Sequence, residues 1–166
     1  MSVVAAETGE ASLRRAIRDS NQDPIPRHIV LRVCLGARGG DAFLQRLYRE
    51  MEIFAPLLAR DRQIVHFTLE GDGLAQLDTT QRADLLQSFE QHFALARAVV
   101  APAEQWGGAP VTKAPADCDV LGLGLGAVSR FGGCQTVNAR DLKIYSSALD
   151  AGQLPIVDCH WDDAAP

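Results

Sequence analysis

The sequence predicts an α/β fold: a short βαβαβ unit with parallel strands, followed by a C-terminal strand or loop and a helix. Three observations carry this reading. Short apolar, β-branched runs recur at 28–33, 63–69 and 97–101. The segments between them repeat their apolar residues at helical spacing. Short connections join strand to helix to strand, which is the pattern of parallel pairing with right-handed crossovers. At 166 residues the chain is long enough for one domain with a real core and short for two.

Residues 1–27 are polar and end in Asn21-Gln22-Asp23-Pro24-Ile25-Pro26-Arg27. Two prolines favour a turn or extended chain there, so a flexible N-terminal arm is expected, with Arg14, Arg15 and Arg18 a solvated face on a short helical stretch. His28–Val33 reads as a buried strand and is followed by a loop containing Gly36, Gly39 and Gly40. Asp41 is placed to cap the next helix, whose stripe is Phe43, Leu44, Leu47, Met51, Phe54, Leu57 and Leu58, with Arg46, Arg49 and Glu50 mainly off it. Gln63–Leu69 is the second strand and ends in the turn-forming Glu70-Gly71-Asp72-Gly73.

Asp78-Thr79-Thr80-Gln81 is a capping-box signature, in which the Asp side chain takes a free amide and the Gln reaches back. The helix it opens runs to about Ala94 and buries Leu85, Leu86, Phe89 and Phe93. Arg97–Ala101 is the third strand, closing a βαβαβ unit over 28–101. Residues 102–118, rich in Pro, Gly and Ala, read as a linker to a C-terminal segment, 119–156, packed on the same domain. In that segment a last helix spans 139–151, with Asn138 at its N-cap, Asp141 in its first turn and Gly152 ending it. The acidic tail 157–166 is expected to fray.

A formal net charge of −5 disfavours nucleic acid or an anionic membrane as partner, since both demand clustered positive charge. The opening residues lack both a charged leader and a long apolar run, so a cytoplasmic location is expected. Cys34, Cys118, Cys134 and Cys159 are scattered, with no C-x-x-C pair, which suits a reducing compartment rather than a disulfide framework.

The most informative stretch is 119–155. Asp119, Gly122, Leu123, Gly124, Ala127, Ser129, Gly132, Asn138, Leu142, Tyr145, Ala148, Leu149, Asp150, Ala151, Gly152, Leu154 and Pro155 fall in step with D-[LIV]-[IV]-G-L-G-x-S-A-I-S-x-x-G-D-x-Y-x-Q-N-x-x-x-L-x-x-Y-x-x-A-L-D-A-G-x-L-P. This closely resembles the oxygen-independent coproporphyrinogen III oxidases, radical S-adenosylmethionine enzymes of haem synthesis. Ala55-Pro56-Leu57-Leu58 extends the likeness upstream, more weakly. The resemblance implies that the parallel unit is a fragment of a radical-SAM partial barrel.

Three departures accompany it. The family follows its first strand with C-x-x-x-C-x-x-C, three thiolates that hold a [4Fe–4S] cluster and leave one iron open for S-adenosylmethionine. Here that loop is Cys34-Leu35-Gly36-Ala37-Arg38-Gly39-Gly40, a single sulfur. The family's W-G-G-G-T-P loop has become Glu70-Gly71-Asp72-Gly73, whose carboxylates stand where bare backbone would meet the cofactor carboxylate. The remaining barrel strands are deleted, leaving little more than 101–118 between the two halves.

By resemblance, Gly71, Gly122, Gly124 and Asn138 are the cofactor-side positions and Cys34 the metal-side position. No catalytic residue is assigned and no cofactor is expected, although the family would use [4Fe–4S] and S-adenosylmethionine. The chain is expected to be a divergent, non-catalytic binding or regulatory relative in haem and porphyrin metabolism, inactive alone as a coproporphyrinogen dehydrogenase. The alternatives are a subunit completing a radical SAM site in trans and a decayed remnant. The partners to expect are a tetrapyrrole ligand and either a second copy or a full-length partner chain.

Other motifs have blander readings. Gly122-Leu123-Gly124-Leu125-Gly126 invites a phosphate-loop reading, but no Walker-type lysine follows, and glycines at a tight strand end explain it more simply. Haem ligation by His66, His92 or Cys34 has no supporting motif. Asp158, Cys159, His160, Asp162 and Asp163 on an acidic tail form a weak metal set. For Asn138 and Tyr145 the plain roles are helix cap and core contact.

Overall fold

The computed structural model describes residues 2–24, 28–35, 40–58, 62, 64–70, 77–93 and 118–161. These build helix α1 (Ser2–Asn21), strand β1 (His28–Cys34), α2 (Gly40–Phe54) with a 3₁₀ turn (Ala55–Leu57), β2 (Ile64–Glu70) and α3 (Thr79–His92). Then come β3 (Cys118–Gly124), β4 (Val128–Phe131), β5 (Cys134–Asn138), α4 (Leu142–Asp150) and β6 (Ile156–Trp161). The strands form one sheet in the order β2-β1-β3-β4-β5-β6. β1 runs parallel to β2 on one side and β3 on the other, and β3 through β6 pair antiparallel.

The fold is therefore α/β with a parallel three-stranded unit, as the periodicity indicates. Its third parallel strand among the described residues is β3, which begins at the last residue of the expected linker. The run 97–101 and the linker up to 117 lie outside the described residues. All seven residues of β3 are buried, which is the signature of a strand covered on both faces.

Alternation sets the core. Leu31 and Val33 of β1 stand opposite Phe67 and Leu69 of β2 and opposite Leu121 and Leu123 of β3, so all six share one face. They join a single apolar cluster with Leu13 and Ile17 of α1, Leu47 and Met51 of α2, Leu85 and Phe89 of α3, and Tyr145 and Leu149 of α4. Val30, Arg32 and Cys34 alternate to the other face.

Four expectations are corrected. Residues 2–21 are a helix rather than an arm, because Ser12, Leu13, Ala16 and Ile17 bury one stripe against the antiparallel end of the sheet; the two prolines come only after it. Of the tail 157–166, expected to fray, residues 157–161 belong to a strand that pairs with β5, which gives their backbone groups partners; 162–166 lie outside the described residues. The last helix is capped by Asp141, whose carboxylate accepts from the Lys143 and Ile144 amides, while Asn138 is a strand residue. Glu50 is fully buried, although its charge suggests a solvated position.

The capping box is as expected. The Asp78 carboxylate accepts from the Gln81 amide at 2.7 Å and the Gln81 side chain accepts from the Asp78 amide at 3.0 Å. Gly152 follows α4 with φ +76, the left-handed conformation that ends a helix and suits glycine.

Candidate functional site

Ligands of open α/β sheets bind outside the carboxyl ends of the parallel strands. Here that edge is a row of three positions in register, Glu70 of β2, Cys34 of β1 and Gly124 of β3. Gly124 is glycine of necessity. Its φ is +102, and a Cβ there would lie 2.0 Å from the Cys34 carbonyl oxygen. Gly122 is equally confined, since a Cβ would meet the Val128 carbonyl oxygen at 2.3 Å. The glycine motif thus brings β3 into close backbone contact with β1 and β4, as tight packing at a strand end requires.

Beneath this edge lies a carboxylate that the sequence reading placed off the apolar stripe. Glu50 projects from α2 and is wholly buried. Its Oε1 accepts from the Gly124 amide at 2.9 Å and from the Tyr145 hydroxyl at 2.7 Å. Its Oε2 accepts from Asn138 Nδ2 at 2.8 Å, and the same amide group donates to the Gly124 carbonyl at 3.0 Å. The signal was present in the spacing: three residues after Leu47 and four before Phe54 is the centre of the helix's buried face.

Burial pushes the Glu50 carboxyl up to about 7, against the lowering effect of its three hydrogen bonds. The carboxyl therefore changes protonation near neutrality while sealed from water. Burial first, then the adjacent Glu50 carboxylate, drives the Tyr145 hydroxyl far above its usual range, so it stays protonated and donates. Cys34 also acts electrostatically on Tyr145, which places the thiol near the same cluster. The cluster can hold a proton and fix the strand edge.

A second buried polar cluster occupies the opposite end of β3. The Arg62 and Asp119 side chains, 0% and 1% exposed, pair at 2.8 Å. Arg62 also donates to Ser20 Oγ at 2.8 Å and Asn21 Oδ1 at 2.9 Å, and Asp119 accepts from the Gly132 amide at 3.1 Å. Beside it opens a cleft of about 250 Å³ lined by Asp19, Ser20, Asp23, Asp119 and Trp161.

The positions assigned by resemblance are distributed unevenly. Cys34, Gly124 and Asn138 meet at the carboxyl edge; Gly122 stands two residues back along β3; Gly71 lies outside the described residues. The residues present do not fit a [4Fe–4S] cluster. Cys118 pairs with His28 at the amino end of β1, about 20 Å from Cys34 by strand rise. Cys134 and Cys159 belong to β5 and β6. Among the described residues no group of three His, Cys, Asp or Glu side chains could hold a metal ion.

Cys159 and His160 are consecutive on a strand and so point to opposite faces, while Asp162 and Asp163 lie outside the described residues. His92 Nδ1 sits 2.8 Å from the Ser88 carbonyl within α3, and His66 lies in β2 opposite Val30. No described helix is long and apolar enough to cross a membrane.

Comparison with known proteins gives two likenesses to one enzyme. No protein-family model matches the chain. Over 49 residues it is 41% identical to the oxygen-independent coproporphyrinogen III oxidase of Pseudomonas aeruginosa, a match covering 28% of this chain and 11% of that enzyme. The chain thus corresponds to a small part of that relative's length. In structure, 95% of the chain superposes on 76% of the solved coproporphyrinogen III oxidase of Escherichia coli, described as a radical SAM enzyme, with a TM-score of 0.75 at 12% identity. The chain is similar to these oxidases locally in sequence and shares the fold.

Proposed function

We propose that this chain is a non-catalytic binding or regulatory relative of the oxygen-independent coproporphyrinogen III oxidases, with a tetrapyrrole as its ligand class. One observation carries the reading: in a fold shared with a radical SAM oxidase, the carboxyl edge of the parallel strands bears one sulfur, Cys34. Three thiolates are needed to hold the cluster that cleaves S-adenosylmethionine. The edge itself remains built: Glu50, itself held by Tyr145, and Asn138 bond the Gly124 backbone and fix the end of β3, which pairs with β1. A ligand wall without the redox centre is what a binding protein would retain.

Anaerobic iron–sulfur reconstitution with haem and coproporphyrinogen titrations tests this. The expected outcome is no stoichiometric iron, no broad visible absorption of a cluster, and a saturable spectral change with one of the tetrapyrroles. A bound cluster would overturn the non-catalytic reading, and the absence of any saturable change would overturn the ligand. A second reading, completion of a partner's active site in trans, draws on the continuous antiparallel β3–β6 ladder that carries the best-matched segment. A gain of oxidase activity on mixing with a full-length, cysteine-bearing oxidase would favour it.

A further inference from the structure

The two thiols of the antiparallel half stand together. Cys134 on β5 faces Trp161 across the ladder, and Cys159 on β6 faces Thr136. Directly opposed residues share a face and a strand alternates with period two, so Cys134 and Cys159 are diagonal neighbours on one face. Cys159 lies within hydrogen-bonding reach of the Cys134 thiol, and burial, with Cys159 as the next cause, pushes that thiol up to about 12. Cys134 is completely buried and Cys159 is partly exposed. α1 packs over this face; a Cβ built on Gly9 would lie 3.9 Å from the Cys159 Cβ.

We propose that Cys134 and Cys159 form a reversible disulfide that staples β6 to β5. Diagonal positions on paired strands have Cα atoms about 7–8 Å apart, and a disulfide takes Cα atoms up to about 6.8 Å apart. The pair must therefore close by roughly an ångström. β6 can supply this, since it is the last strand of the sheet and is hydrogen-bonded to β5 alone within it.

The chemistry balances with a hydroperoxide as oxidant. The partly exposed Cys159, as thiolate, attacks the peroxide oxygen; the O–O bond breaks, alcohol or water leaves, and Cys159 becomes a sulfenic acid. The Cys134 sulfur then attacks the Cys159 sulfur, the S–O bond breaks, and water leaves carrying the Cys134 proton. Two thiols lose two hydrogens, and the peroxide is reduced by two electrons. A dithiol reductant reverses the bridge by exchange.

The test is oxidation of the folded protein with stoichiometric hydrogen peroxide, intact mass before alkylation, then alkylation in denaturant and peptide mapping. The expected result is a mass decrease of about 2 Da, loss of two of the four alkylatable thiols, and a crosslinked peptide joining 134 to 159. Reduction should restore all four. Cys159→Ser, at the partly exposed position, should abolish the bridge without disturbing the core, and the double variant Cys34→Ser/Cys118→Ser should retain it. A bridge joining any other cysteine, or four alkylatable thiols after oxidation, overturns the proposal.

Discussion

Two buried charged groups, at opposite ends of β3, are compensated in contrasting ways. At the amino end Asp119 meets Arg62 in a direct ion pair, with Ser20, Asn21 and the Gly132 amide taking up further hydrogen-bonding capacity. At the carboxyl end Glu50 has, among the described residues, no cation as a direct hydrogen-bond partner and is held by three neutral donors. The consequence falls on Glu50, whose carboxyl is pushed up to about 7 by burial. Neutral donors fix the geometry of a buried carboxylate, but they do not repay its desolvation in full.

Breaking the ion pair should produce the largest effect. Asp119→Asn leaves the Arg62 guanidinium buried without its counter-charge, and should cost about 3–5 kcal/mol in denaturant unfolding. A cost below about 1 kcal/mol would mean the two ends are not compensated differently.

Next is the pH dependence set by Glu50. Its folded-state value lies above the ordinary carboxylate range, so between about 4.5 and about 7 the folded state binds more protons than the unfolded state. Stability therefore falls as pH rises through that window, by an amount on the order of 3 kcal/mol for a fully buried group. Glu50→Gln should flatten this slope in unfolding curves measured from pH 5 to pH 8. An unchanged slope would assign the titration elsewhere.

The smallest effect belongs to a single donor. Tyr145→Phe removes one of the three hydrogen bonds to Glu50 and should cost about 1.5–3 kcal/mol at high pH, less where the carboxyl is protonated. Because that bond favours the charged form, its loss should also move the Glu50 midpoint above about 7, as followed by the pH of half-maximal destabilisation.

Local signals read well from the chain. The Asp78–Gln81 capping box, the α2 stripe and the Gly152 stop depend on residues within a turn of each other, and the structure shows all three. α1 and β6 are hidden in the sequence by polar composition. Leu13 and Ile17 supply a buried stripe to an otherwise charged helix, and β6 is a strand because β5 offers it a ladder. The glycine motif was legible as packing, and its length of match to the oxidases pointed to a fold that structural superposition supports.

The candidate site was half legible. Cys34, Gly124 and Asn138 were named from the motif, whereas Glu50, which joins Gly124, Asn138 and Tyr145, was not. Sequence alone determined the α/β class, the shortage of cluster thiols and the strand-end glycines, because each is a matter of residue type at fixed spacing. Tertiary structure alone decided which charges are buried and what compensates them. Glu50's partners lie 74, 88 and 95 residues away, and Arg62's carboxylate 57. Burial of a charge is a property of the surfaces that close around it, and no local window of sequence contains those surfaces.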